Sequence, residues 1–386
     1  MQQICSPKHC TGCGSCVNAC PKQCISLDYD KNGFLHPYIN KHQCIDCGRC
    51  EKVCPSRNTV KKDMPIQAIV ACSRNEDIVR ESSSGGIFSE LAQSIFDVGG
   101  IVCGAVFADD FLTVQHSVAT NLDELSKMRG SKYIQSNARS IYKETKVHLQ
   151  DGKTVLFSGT PCQVAGLKTY LGKEYPNLIT VDFVCHGVAS TKAYQEYLKS
   201  LDIQEKICDF SFRYKKTSDD QYANCMFRIC LANETCVEEN WLASSLGYAF
   251  ANNLLSRYSC SLCSYATVSR VSDITVADYI SNIDDESLRK SRSTKSLILI
   301  NTKTGAEAFN RIKKNLLYTE ISIEKAVCVS KHLSSPAIQH RNRRMVFKHL
   351  GKCSWNELSA KYFTVYKPIR TFKSIKNKFK IQNERK

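Results

Sequence analysis

The sequence has no apolar run near the roughly 18–20 residues a helix needs to cross a bilayer. Its start, Met1-Gln2-Gln3-Ile4-Cys5, lacks both the basic residues and the apolar stretch of a secretion signal. Polar low-complexity tracts are missing too, and 42% of residues are hydrophobic, which excludes a disordered chain. Acidic residues are in deficit, 37 against 53 Lys+Arg, leaving a formal charge of +16. Without an export signal a cytoplasmic, reducing setting is expected. There, 22 cysteines point to metal or redox chemistry and not to disulfides. At 386 residues the chain is far too long for a disulfide-stapled mini-protein. Two or three domains of roughly 100–200 residues are expected.

Neither cysteine nor charge is spread evenly. Ten cysteines fall within the first 54 residues. Residues 341–386 carry +12 of the +16, so the rest of the chain is nearly neutral. Residues 1–57 are cysteine-rich with Gly and Pro punctuation, and 58–66 read as a polar linker. From 67 to 204 strand-like runs (100–107, 154–157, 178–184) alternate with helical patterns (87–96, 163–171). That alternation predicts an α/β layer structure with a largely covered sheet. From 205 to 340 further strands (208–214, 223–231, 273–277, 296–300) and helices (242–255, 305–316) follow, and 341–386 form a basic tail.

The one internal repeat lies at the front. Cys10-Thr-Gly-Cys13-Gly-Ser-Cys16-Val-Asn-Ala-Cys20-Pro21 and Cys44-Ile-Asp-Cys47-Gly-Arg-Cys50-Glu-Lys-Val-Cys54-Pro55 both obey C-x2-C-x2-C-x3-C-P. In such a run three thiolates wrap one [4Fe–4S] cube and the fourth reaches the other cube. The spacing assigns Cys10, Cys13, Cys16 and Cys54 to one cluster, and Cys44, Cys47, Cys50 and Cys20 to a second. A pair of zinc sites would explain neither the third C-x2-C step nor the trailing Cys-Pro. Residues 25–29 and 36–39 read as the hairpin between the repeats. Cys5 and Cys24 lie outside the pattern and read as packing residues.

Four more cysteines have candidate roles. Cys260-Ser-Leu-Cys263 is a C-x2-C pair. Gly159-Thr160-Pro161-Cys162 follows a strand and opens a helix, with Thr160 as N-cap and Pro161 as first helical residue. The helix end should lower the Cys162 thiol pKa. Cys185-His186-Gly187 follows the next strand. Ligands bind beyond the carboxyl ends of strands in an open α/β sheet. Cys162 and Cys185 are therefore expected to face one crevice, and with Cys260 and Cys263 they suffice for a third [4Fe–4S] cluster. The competing reading is a redox-idle thiol at each position. Cys72, Cys103, Cys208, Cys225, Cys230, Cys236, Cys328 and Cys353 sit mostly in apolar strand-like runs and read as small hydrophobes.

Glu81-Ser82-Ser83-Ser84-Gly85-Gly86-Ile87-Phe88 enters a helix with apolar residues at helical period. Hydroxyls and glycines ahead of a helix form an anion pocket suited to the phosphates of a nucleotide cofactor. An ordinary serine N-cap is the plainer reading. Gly130-Ser131-Lys132-Tyr133 adds a cation, a hydroxyl and an aromatic.

Taken in order, these segments resemble the coenzyme F420 hydrogenase/dehydrogenase beta-subunit family, with a two-cluster ferredoxin domain in front. The resemblance rests on Ser83-Ser84-Gly85-Gly86, Gly130-Ser131-Lys132-Tyr133, Gly159-Thr160-Pro161-Cys162-Gln163, Cys185-His186-Gly187, Cys260-Ser-Leu-Cys263 and Ser272-Asp273-Ile274-Thr275-Val276-Ala277-Asp278. It implies an α+β ferredoxin-like two-cluster domain followed by an α/β flavin-binding domain with a mixed-sheet C-terminal part. It implies an oxidoreductase passing electrons between FAD and [4Fe–4S] clusters. The donor would be reduced coenzyme F420 or a ferredoxin-type carrier, and the acceptor a small-molecule substrate or a partner oxidoreductase. Ser83, Ser84, Gly85, Gly86, Ser131, Lys132, Tyr133 and Asp278 carry over as cofactor-binding residues. One departure is Ala277-Asp278-Tyr279-Ile280, where many relatives read Gly-Asp-Phe-Trp. No side chain stands out as a catalytic acid or base; His186 reads as a structural hydrogen-bonding residue.

At the far end, residues 364–386 place Ile369, Phe372, Ile375 and Phe379 at near-helical spacing among Lys367, Arg370, Lys373, Lys376, Lys378 and Lys380. A basic amphipathic helix on the inner face of a membrane is one reading. Docking of an acidic electron carrier and a solvated terminus are the others. No nucleic-acid-binding module or aromatic platform is present, so nucleic acid is not an expected partner.

Overall fold

A computed structural model of the chain describes residues 3–217, 226–291 and 293–363. Its strands are β1 (Ile25–Tyr29), β2 (Leu35–Ile39), β3 (Gln67–Ser73), β4 (Ile101–Phe107), β5 (Val114–Ala119), β6 (Ser136–Asn137) and β7 (Val155–Ser158). There follow β8 (Leu178–Phe183), β9 (Ile207–Tyr214), β10 (Met226–Leu231), β11 (Cys236–Asn240), β12 (Ile274–Tyr279), β13 (Lys295–Ile300) and β14 (Leu316–Ile321). Among the described residues nine of these form one mixed sheet in the order β14-β3-β13-β12-β8-β7-β4-β5-β6. β9, β10 and β11 form a three-stranded antiparallel sheet, and β1–β2 a hairpin inside the small N-terminal ferredoxin-like region.

Alternation along the central strands explains the layers. Val102 and Leu156 face one side with the helix Ile87–Phe96 and the helix Lys303–Ile312. Ile101, Cys103, Val155 and Phe157 face the other with the helices Ile141–Gln150 and Pro161–Leu171. Side chains one residue apart point to opposite faces of a strand, so a sheet covered on both sides needs unbroken apolar runs. Burying each such side chain contributes about 1.5–3 kcal/mol.

β3 sits between β13 and β14, so segments from both halves of the chain share the large sheet. The helix expected over 242–255 is shorter, Ser245–Ala251, because the Ser244 hydroxyl caps its start and Asn253 turns left-handed after it. The helix expected over 305–316 ends at Ile312, and Leu316 already belongs to β14. Of the strand expected over 223–231, positions 223–225 lie outside the described residues.

The cysteines are not all free of disulfides as the sequence led us to expect. Cys230 and Cys236 face each other in the β10–β11 register, their Cα atoms 4.1 Å apart, and are bonded. Nor is the basic segment 341–386 an appendage along its whole length. Arg343–His349 and Trp355–Tyr362 are helices, and Val346, Trp355 and Leu358 are buried in an aromatic core with Tyr197 and Trp241. The Trp355 Nε1 donates to the Ser245 hydroxyl at 2.8 Å. The amphipathic stretch read over 364–386 lies outside the described residues. No helix among the described residues is long and apolar enough to cross a membrane.

Candidate cluster and cofactor site

β4, β7, β8 and β12 run parallel. β3 points the same way, being antiparallel to β13, which is antiparallel to β12. The carboxyl ends of these strands therefore meet at one edge. There they bound a cavity of about 330 Å³. Cys162 enters it after β7, Cys185 after β8, Asp278 from β12, and Ser83, Ser84 and Gly86 from the turn beyond β3. Cys260 and Cys263 complete the wall.

The four cysteines are neighbours, as the sequence led us to expect. Gly187 takes φ +97°, and a Cβ built on it would lie 3.2 Å from the Cβ of Cys260. Only a glycine lets the Cys185 loop come so near. Burial raises the Cys185 thiol well above its ordinary pKa, and Cys260, Cys162 and Cys263 add to it by repulsion. Cys162 is pushed up to about 12, chiefly by burial, with a smaller lowering from the Thr160 hydroxyl. The expected lowering at this helix end is thus outweighed. The cap itself forms as expected: Thr160 N–H donates to Gln163 Oε1 at 3.1 Å, with Pro161 first in the helix.

All but one of the candidate cofactor residues line the same cavity. Gly86 is the left-handed N-cap of the helix Ile87–Phe96, with no side chain capping it. That helix start opens on the cavity. Gly85 lies beneath, where a Cβ would be 2.6 Å from the Ala71 carbonyl. The Ser131 N–H and hydroxyl both donate to Ser83 Oγ, at 2.6 and 2.8 Å. Ser84 Oγ donates to the Lys295 carbonyl at 2.7 Å. Lys132 lines the cavity, but its Nζ donates to the carbonyls of Met128, Arg129 and Gly130. Burial lowers its pKa to about 7, against a small upward pull from Asp209. Tyr133 also lines it and stacks on Trp241, centroids 5.1 Å apart. Asp278 pairs with Arg213 at 2.8 Å. His186 lines the cavity beside Cys185, its ring 4.4 Å from that of His332, and burial lowers its pKa to about 4.

In the ferredoxin-like region Cys16, Cys20, Cys50 and Cys54 are buried in one core, with Cys44 packed against it. Cys20, Cys44, Cys47 and Cys50 line one apolar cavity together. Burial raises the Cys16 thiol well above its ordinary pKa, and Cys13, Cys10 and Cys54 add to it by repulsion. Of the two cysteines outside the pattern, Cys24 is buried in the same core with Cys5 packed against it, and Cys24 Sγ lies 3.4 Å from Cys20 Sγ.

Two family models describe the coenzyme F420 hydrogenase/dehydrogenase beta subunit, its N-terminal part at residues 68–143 and its C-terminal part at 152–326. Together they span well over half of the chain. The chain belongs to the coenzyme F420 hydrogenase/dehydrogenase beta-subunit family. In front of that family's region, a 4Fe-4S dicluster domain model matches residues 9–58. No curated protein matches the sequence. Among solved structures, a chain of the F420-reducing [NiFe] hydrogenase complex from Methanosarcina barkeri is 16% identical, with a TM-score of 0.48 over 76% of this chain and 94% of that one.

For a member of this family the donor set decides what fits. Each group of four offers thiols alone, soft donors that suit iron–sulfur centres. Among the described residues no three His, Cys, Asp or Glu side chains are arranged to hold a single metal ion. A cube spreads its thiolates over separate irons. The residue that sequence patterns missed is Arg257. Its guanidinium donates to the carbonyls of Cys10 and Leu35 and to Gln135 Oε1, all within 2.9 Å. Three positions before Cys260, it ties the ferredoxin-like region to the cavity wall. No local motif marks it.

Proposed function

We propose that the protein is an iron–sulfur flavoprotein oxidoreductase that passes electrons between FAD and [4Fe–4S] clusters. Reduced coenzyme F420 or a ferredoxin-type carrier would supply the electrons and a small molecule would receive them. The observation carrying this is that one cavity is lined both by Cys162, Cys185, Cys260 and Cys263 and by Ser83, Ser84, Gly86, Ser131, Lys132 and Tyr133. In this reading the first four hold a third cluster. Cys10, Cys13, Cys16 and Cys54 hold one ferredoxin cluster, and Cys20, Cys44, Cys47 and Cys50 the other.

The open helix start at Gly86 and the hydroxyls of Ser83, Ser84 and Ser131 would hold the cofactor's phosphates. Tyr133 and Lys132 would border it, and Asp278 would face its far end. A bound flavin supplies the exchange between a two-electron hydride and single electrons. The protein's own part is to hold the carriers close together and keep water out.

Anaerobic purification with flavin and iron–sulfur reconstitution tests the reading. One bound FAD and about twelve irons per chain are expected, four per cube, falling to about eight in Cys260→Ser/Cys263→Ser. Reduced coenzyme F420 or ferredoxin should bleach the flavin. A chain that never retains flavin would overturn the proposal. A second reading, a relay subunit without a substrate of its own, is favoured by the family's description as a beta subunit. It predicts an anaerobically co-purifying partner and cluster reduction with no turnover by the isolated chain.

A further inference from the structure

We propose that the surface over Cys44, Cys47 and Cys50 is the docking face for a soluble electron-carrier protein with an acidic surface, and that electrons enter there. The inference rests on the cluster assignment above and adds direction and a partner to it.

The two cysteine sets sit in opposite surroundings. Cys10, Cys13, Cys16 and Cys54 are all buried. The body of the protein closes over them. Arg257 Nε donates to the Cys10 carbonyl at 2.8 Å. The Tyr142 hydroxyl is 2.7 Å from the Cys13 carbonyl. Thr11, between these cysteines, lines the large cavity. This set therefore faces inward, toward the helix that contains Cys162: a Cβ built on Gly166 of that helix would lie 3.0 Å from Cys13 Sγ.

The other set faces out. Cys47 is the exposed member of the eight, and Cys44 is half-buried. A Cβ built on Gly48, beside Cys47, would meet nothing within 4 Å. Ile45, 57% exposed, offers an apolar contact at the same rim. Two cations, Lys22 and Arg49, line the cavity with it, and Lys41 and Lys52, three positions before Cys44 and two after Cys50, are exposed. The local carboxylates are Asp46 and Glu51, and Arg57 takes up Glu51 at 2.9 Å. The rim is therefore net positive around a small apolar centre, the complement of an acidic carrier.

The step is a one-electron transfer. The carrier's reduced centre loses one electron, the outer cluster gains it, and no bond or proton moves. The inner cluster would then take the electron and pass it on to the cluster proposed at Cys162, Cys185, Cys260 and Cys263. The two sets share one core, in which Cys16, Cys20, Cys50 and Cys54 pack together.

The test is stopped-flow reduction of the reconstituted full chain by a reduced acidic [2Fe–2S] ferredoxin at several salt concentrations. The variants are Lys41→Glu/Arg49→Glu/Lys52→Glu and, as a control outside this region, Lys303→Glu/Lys314→Glu. At low salt the triple variant should be reduced about tenfold or more slowly, with a flattened salt dependence. The control should match wild type. A dithionite endpoint should show equal electron uptake in all three proteins. An unchanged rate and salt slope in the triple variant, or an equal loss in the control, would overturn the docking face. Wild-type clusters that dithionite cannot reduce would instead overturn the cluster assignment on which it rests.

Discussion

A Cβ placed on Gly166 would lie 3.0 Å from the Sγ of Cys13, across the join between the ferredoxin-like region and the helix Pro161–Leu171. The same methyl would be 3.1 Å from the Tyr142 hydroxyl. In a free helix, alanine is about 1 kcal/mol better than glycine. Here the crowding should reverse the sign, since overpacking a rigid site costs about 1–3 kcal/mol. Gly166→Ala is expected to lower the urea midpoint and speed iron loss from the inner cluster. A variant more stable than wild type would show that this contact is loose.

Tyr142 sits at that same join. Its hydroxyl lies 2.7 Å from the Cys13 carbonyl and 3.0 Å from the Gln163 carbonyl, all buried. Tyr142→Phe keeps the ring but leaves those buried acceptors without this donor, at a cost of about 1–3 kcal/mol. Faster hydrogen exchange near Cys13 and the start of the helix would mark the loss as local. Exchange unchanged there would argue against the bridge.

Arg270 anchors the segment that follows Cys263. Its guanidinium pairs with Asp182 at 3.0 Å and donates to the Tyr265 carbonyl at 2.8 Å. The side chains are 1% and 0% exposed. Thr275 also donates to Asp182, at 2.6 Å. Removing one member of a buried pair leaves an uncompensated charge and costs about 3–5 kcal/mol. Arg270→Leu should therefore unfold at clearly lower denaturant and, after reconstitution, hold less iron at the cluster proposed for Cys260 and Cys263. Asp182→Leu/Arg270→Leu should recover part of the stability, because no unpaired charge remains.

What the sequence made legible was local. The eight repeat cysteines could be read because three ligands of each set lie within seven consecutive residues. Cys162 and Cys185 could be read because strand ends and a helix cap flank them. Arg257 could not, since its meaning depends on Gln135, 122 positions away. The place of β3 between β13 and β14 is likewise fixed by pairing partners far along the chain. The Cys230–Cys236 bond follows from hairpin register, which the sequence did not pin down. The helix end at Cys162 was read correctly, but the direction of its thiol was not. Burial there exceeds the pull of the helix.

Glu239 on β11 gives a pH dependence with a definite sign. It is 4% exposed, stands opposite the buried Phe227, and neither carboxylate oxygen has a hydrogen-bond partner among the described residues. Burial raises its pKa from an ordinary 4.5 to about 7. A raised folded-state pKa means that the native state holds the proton longer than the unfolded chain. Its contribution is therefore fully present below pH 4.5 and is lost as pH rises through 7. Above that, the folded protein carries an ionised, unpaired carboxylate. Glu239→Gln keeps the shape without the charge. It should be more stable than wild type at pH 8 by about 3 kcal/mol. The difference should shrink toward zero at pH 4.5. Urea unfolding of both proteins across this range measures it, and a difference that does not change with pH would show that Glu239 ionises freely in the folded state.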